Sequence, residues 1–145
     1  MPNSAHDVAA ALLTRVPGPI STMKLQKLVY YCQAWNLAWF DEPLFRERVE
    51  SWAKGPVVPV LFRQHRGVFE VGAWPQGDPG LLSLRDQQVV ESVVRAYGST
   101  SAHTLSELTH AEGPWLKARS GAEHGARSNT EIGWASMRDY YRAQQ

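Results

Sequence analysis

Cys32 is the only thiol in the chain, and a cysteine set beside a histidine could act as a nucleophile. The spacing argues against that use. Leu25, Leu28, Val29, Cys32, Trp35 and Trp39 recur at steps of three and four, which puts the thiol in the apolar stripe of a helix. A thiolate there would be desolvated and inert, so Cys32 is expected in the core. His103 and His110 stand two helical turns apart with Glu112 close behind. Such a set could ligate a metal, or His110 and Glu112 could work as an acid–base pair. The spacing is too wide for two ligands of one ion without further partners. A surface His103 and a His110 bonded at a helix end is the plainer expectation. His6, Asp7 and His124 read as solvated residues. Arg63, His65 and Arg66 could touch phosphate, or could only complement the dipole of their own helix.

The strong catalytic signatures are missing from the sequence. It has no G-x-x-x-x-G-K-[ST] loop, no G-x-G-x-x-G after a strand, no H-E-x-x-H and no G-x-S-x-G. One cysteine permits neither a disulfide framework nor a multi-cysteine metal site. No catalytic residue, metal or cofactor is therefore expected.

These residues must be held by a mostly helical frame. Asn3 or Ser4 can cap a first helix carrying Val8, Ala9, Leu12 and Leu13, which Val16-Pro17-Gly18-Pro19 ends. The segment Thr22–Phe40 is apolar nearly all round, with Lys24, Lys27 and Tyr31 on the one flank that tolerates charge. A helix of that kind belongs in the middle of a domain. Leu44-Phe45 and Val49–Trp52 flank Arg46-Glu47-Arg48 and read as a short hairpin or two extended arms near Leu44–Trp52. Lys54-Gly55-Pro56 is a turn, with Pro56 suited to the start of a helix over 57–66. Residues 67–80 read as loop. Ser83 and Ser101 cap two further helices, Pro114 starts a short one, and residues 119–127 form an exposed loop. Ser128-Asn129-Thr130-Glu131 fits a capping box for a last helix with Trp134, Met137, Tyr140 and Tyr141.

The chain has 145 residues, with 15 Lys and Arg against 14 Asp and Glu, a net charge of +1. That length suits one domain, and near-neutrality argues against a dedicated nucleic-acid binder. No stretch approaches the roughly 18 apolar residues of a membrane span. Residues 1–10 are polar and unlike a secretory signal, so a cytoplasmic location is expected. Six Trp, five Tyr and four Phe exceed what so small a core needs. Two of the Trp sit beside Gly-Pro turns, Trp52 before Gly55-Pro56 and Trp115 after Gly113-Pro114. They could fill the gap where a turn meets the core, or form a rigid aromatic-rimmed surface of the kind found at interface hot spots. The two roles are compatible.

Several of these stretches occur together in a fixed order. Lys24-Leu25-Gln26-Lys27-Leu28-Val29-Tyr30-Tyr31 is followed by Trp35, Pro43-Leu44-Phe45, Val49-Glu50-Ser51-Trp52 and Gly55-Pro56-Val57-Val58-Pro59. Leu105–His110 and Gly113-Pro114-Trp115 come next. The series resembles the Panacea domain, the SocA-like antitoxin family also met among phage-associated proteins, over residues 21–141. The resemblance implies a mainly helical domain that neutralises a cognate protein toxin by direct contact, the toxin being encoded by an adjacent gene. Some relatives carry added N-terminal segments that could bind DNA; only residues 1–19 precede the motifs here, so autoregulation through such a segment is not expected. The candidate partner-binding residues are Lys24, Lys27, Trp52, Gly55, Pro56, His110, Pro114 and Trp115, with Trp74 on an adaptable rim formed by residues 67–80. Self-association stays open. The alternatives are a small acid–base enzyme using His110 and Glu112, and a DNA-binding regulator using Arg63 and Arg66 with the helices of residues 101–119.

Overall fold

Apolar periodicity makes the chain mainly helical, and one helix takes the centre. The computed structural model describes residues 2–120 and 128–145. The expected exposed loop with His124 falls mostly on residues 121–127, outside the described residues. The elements in chain order are α1 (Ala5–Arg15), β1 (Ile20–Ser21), α2 (Thr22–Phe40), β2 (Glu50–Trp52), β3 (Gly55–Val57) and α3 (Pro59–His65). Then come β4 (Glu70–Val71), a 3-10 turn (Pro79–Leu81), α4 (Leu84–Tyr97), α5 (Ala102–Ala111), α6 (Gly113–Ala118) and α7 (Trp134–Ala143).

Ser21 caps α2 by accepting from the Lys24 amide, and Asp41 in the left-handed region (φ 56°) ends it. Between them α2 packs against α1, α4, α5, α7 and β3, so it is buried on nearly every side, as its all-round apolarity requires. Leu25, Leu28, Val29, Cys32 and Ala34 are sealed in the core with Val8, Leu12, Phe45, Val90, Leu105 and Met137.

Cys32 is fully buried, and desolvation pushes its thiol well above the ordinary cysteine range. Cys32→Ser should cost about 1–3 kcal/mol, because a hydroxyl replaces an apolar group where no partner is arranged. Denaturant melts check that figure. Folded molecules should lose none of their biological activity.

Two polar side chains on α2, also two turns apart, shape the neighbouring backbone. Gln33 accepts from the Leu44 and Phe45 amides (2.7 and 3.2 Å) and donates to Phe45 O at 2.8 Å. Gln26 accepts from the Val58 amide at 2.8 Å and donates to Val58 O at 3.3 Å. Each amide thus satisfies buried backbone that has no ladder partner.

This changes the expected arms. Leu44-Phe45 does not pair with residues 49–52, because its backbone groups go to Gln33 and to Asn3. The hairpin lies one step later, β2 with β3, in the register Glu50–Val57, Ser51–Pro56 and Trp52–Gly55. Pro56 is therefore a strand residue, and Pro59 opens α3 instead. The capping box does not form. Residues 128–132 run extended beside β2, with Ser51 N donating to Thr130 O and Ile132 N to Val49 O, and Gly133 precedes α7. Residues 67–80 are not all loop, since β4 pairs with β1. Asp7 is buried and accepts from the Asp78 amide at 2.9 Å, and His6 accepts from Trp74 Nε1 at 3.0 Å, so neither is a freely solvated group.

Candidate functional site

The two-residue link Ala53-Lys54 turns β2 into β3, and Gly55 leaves it with φ +122°, a backbone that favours glycine. The hairpin is gripped from several elements. Ser106 Oγ of α5 donates to Lys54 O at 2.7 Å, and Trp115 Nε1 of α6 donates to Trp52 O at 2.9 Å. Arg119 donates to Ser51 O at 2.9 Å while its guanidinium lies over the Trp115 ring. From α2, Lys27 Nζ donates to Pro56 O at 3.3 Å.

Lys27 is 1% exposed, so it does not lie on a charge-tolerant flank as expected. The hairpin covers its stem, and a Cβ built on Gly55 would lie 2.6 Å from Lys27 Cε and 3.1 Å from Thr109 Oγ1. Gly55 therefore supplies space as well as backbone freedom. Burial alone pushes the Lys27 ammonium down to about 7, with no carboxylate offsetting it.

Between α2, the hairpin and α3 lies a cleft of about 820 Å³. Trp52 and Phe62, edge to face at 4.9 Å, form part of its apolar wall with Met23 and Val57. Lys27, Gln26, His65 and Lys54, with Thr22, Ser128 and Asn129, supply its polar groups. His65 is buried rather than a surface complement to the α3 dipole. Its Nε2 lies 3.0 Å from the Gln26 amide nitrogen, and desolvation lowers its pKa. A second, shallower hollow of about 230 Å³ lies between α1 and residues 72–79.

The structure thus gathers Lys27, Trp52, Gly55, Pro56 and Trp115 around one hairpin. His110 stacks on Trp115 (4.2 Å between ring centres), and Pro114 is buried in the first turn of α6. Two candidates sit apart. Lys24 Nζ donates to Gly98 O at 2.6 Å, satisfying a carbonyl at the end of α4. Trp74, expected on an exposed rim, is 6% exposed, stacks on His6 and makes a T-shaped contact with His65. Its indole is too large and apolar to stay out when α1 and α3 offer ring partners. Trp115, 2% exposed, is likewise a packing residue.

Glu112 belongs to a different cluster. Its Oε1 accepts from Tyr31 and Tyr141 hydroxyls, both at 2.8 Å, and Tyr141 shares a hydrogen bond with Tyr30 at 3.0 Å. Burial raises the Glu112 pKa, and the two hydroxyls pull it partway back. The carboxylate ties α2 to α7. His103 is exposed and faces Glu107 at 3.4 Å. Among the described residues no group of three or more His, Cys, Asp or Glu could hold a metal ion, and no helix is long and apolar enough to cross a membrane.

The profile of the family described as "Antitoxin SocA-like, Panacea domain" matches residues 25–116, from within α2 through the hairpin and α3 into α6. The chain belongs to this family. Antitoxin SocA of Caulobacter vibrioides (strain NA1000 / CB15N) is 32% identical over 127 residues, covering 77% of this chain and 68% of that protein. No solved structure matches the chain. Within the Panacea segment, sequence reading missed the roles of Gln26, Gln33, Ser106 and Thr109. The available signal was a polar side chain recurring inside an otherwise apolar helix, since such a group must find a buried partner.

Proposed function

We propose that this protein is an antitoxin that silences a cognate toxin, encoded by a neighbouring gene, through direct protein–protein contact in the cytoplasm. The observation that supports this reading is membership of the SocA-like antitoxin family across the segment that builds the hairpin and most of the cleft lining. The geometry is compatible with it. A rigid hairpin presents half-buried Trp52 next to an open apolar-walled cleft, the kind of preorganised aromatic surface that concentrates binding energy. The reading needs no turnover. Glu112, the acid of the alternative enzyme, is engaged by two tyrosine hydroxyls in a structural tie. The test is growth of a host expressing the neighbouring gene from an inducible promoter. Expression alone should arrest growth, and co-expression of this chain should restore it. A harmless neighbour, or arrest that this chain does not relieve, would overturn the proposal.

A further inference from the structure

The cleft has a chemical bias that the family membership does not specify. Among the described residues its lining includes the basic side chains Lys27 and Lys54, and no Asp or Glu. The chain as a whole is nearly neutral, so this positive lining is a local feature. Lys54 stands exposed at the hairpin turn, where its carbonyl is fixed by Ser106, and its ammonium makes no ion pair among the described residues. Lys27 lies buried, and among the described residues its hydrogen-bond partner is the Pro56 carbonyl. The apolar side continues outside the cleft. Thr22, on the lining, donates through its amide to Phe69 O (2.8 Å) and through its hydroxyl to Val68 O (3.1 Å). Those two bonds tie exposed Val68 and Phe69, the latter 77% exposed, to a residue of the cleft wall.

We propose that the cleft seats an acidic segment of the toxin, with an apolar side chain against Trp52 and Phe62 and an adjacent Asp or Glu paired with Lys54. The volume falls within the range of pockets that enclose a drug-sized molecule, so two or three inserted side chains would fill it. A free anionic metabolite would use the lysines but leave Phe69 and Val68 bare. A protein segment covers both. The Lys54 ammonium favours a carboxylate partner and repels a basic one, so the site contributes to choosing between toxins as well as to affinity.

The inference rests on the antitoxin reading, and the test separates the two. The purified chain is titrated with the neighbouring gene's product in a catalytically disabled form, as wild type, Lys54→Arg, Lys54→Glu and Phe69→Asp. Melting temperatures are measured alongside. Lys54→Arg should bind like wild type, whereas Lys54→Glu and Phe69→Asp should each weaken binding at least about tenfold with unchanged melting. A zero-length carbodiimide should join Lys54 to an Asp or Glu of the toxin. Wild-type affinity in both the Lys54→Glu and Phe69→Asp variants overturns the inference and leaves the antitoxin reading standing. Carbodiimide products linking Lys54 only to a second copy of this chain would assign the cleft to self-association instead. If the neighbouring product forms no complex with wild type, the antitoxin reading fails and this inference falls with it.

Discussion

Gly55→Ala is expected to destabilise the fold by about 3 kcal/mol or more, the largest effect of any single-methyl change on the hairpin. Two costs coincide at this position. At φ +122° an alanine is strained whatever the space around it, and its Cβ would press on Lys27 Cε and Thr109 Oγ1. Neither neighbour can move freely, because Lys27 is enclosed and Thr109 is fully buried with its hydroxyl bonded to Ser106 O. Equilibrium urea melts give the number. Adding Lys27→Ala should recover the steric part and leave the backbone part, so the two substitutions should couple by about 1 kcal/mol or more. A Gly55→Ala variant within about 0.5 kcal/mol of wild type would show that the turn relaxes and that Gly55 has no such role.

The pH dependence of stability should carry the signature of Lys27. Its folded-state pKa lies near 7 because burial disfavours the ammonium, whereas in the unfolded chain it titrates near its ordinary value. Between these values the unfolded chain holds more protons than the folded one. Unfolding therefore takes up a proton, and stability rises with pH from about 7 upward. The full span corresponds to on the order of 4 kcal/mol, and the burial penalty is greatest below pH 7. Tyr30, Tyr31 and Tyr141 act in the opposite sense, but only near and above the ordinary tyrosine range. Cys32 also acts in the opposite sense, from its ordinary range at about 8.5 upward, because burial holds its thiol protonated in the folded chain, so the window from about pH 7 to about pH 8 isolates the lysine. Melts of wild type against Lys27→Met should show a rising limb in the first and a flat one in the second. At pH 7 the methionine variant should be as stable as wild type or more so, since it removes a buried charge with no counter-ion. An identical slope in both proteins would place the titration elsewhere.

The frame of this fold was readable because it rests on periodicity. Thr22–Phe40 is apolar on nearly all sides, and only a central position satisfies such a helix. Ser21, Ser83 and Ser101 accept from amides in the first turns of α2, α4 and α5, and Ser83 and Ser101 were legible as caps for the same local reason. What the sequence hid is non-local. Whether Leu44-Phe45 pairs with residues 49–52 depends on Gln33 and Asn3, which offer its backbone better partners. Ser128–Glu131 has the letters of a capping box, yet the edge of β2 claims its backbone first. The site was half legible. The motif residues Lys27, Trp52, Gly55, Pro56 and Trp115 do converge on one hairpin, but their types did not reveal that Lys27 would face inward. Burial of a lysine depends on what covers it, and Gly55 covers it from a different element.

The most direct measurement of the central claim is a calorimetric titration of the purified chain with the purified, catalytically disabled product of the neighbouring gene, paired with an activity assay of the intact toxin. The account predicts a complex of fixed stoichiometry with a Kd below about 1 μM. It also predicts toxin activity that falls in proportion to complex formed, with no other component added. Toxin that stays fully active within a stoichiometric complex, or rescue of growth by a chain that does not bind the purified toxin, would contradict neutralisation by direct contact.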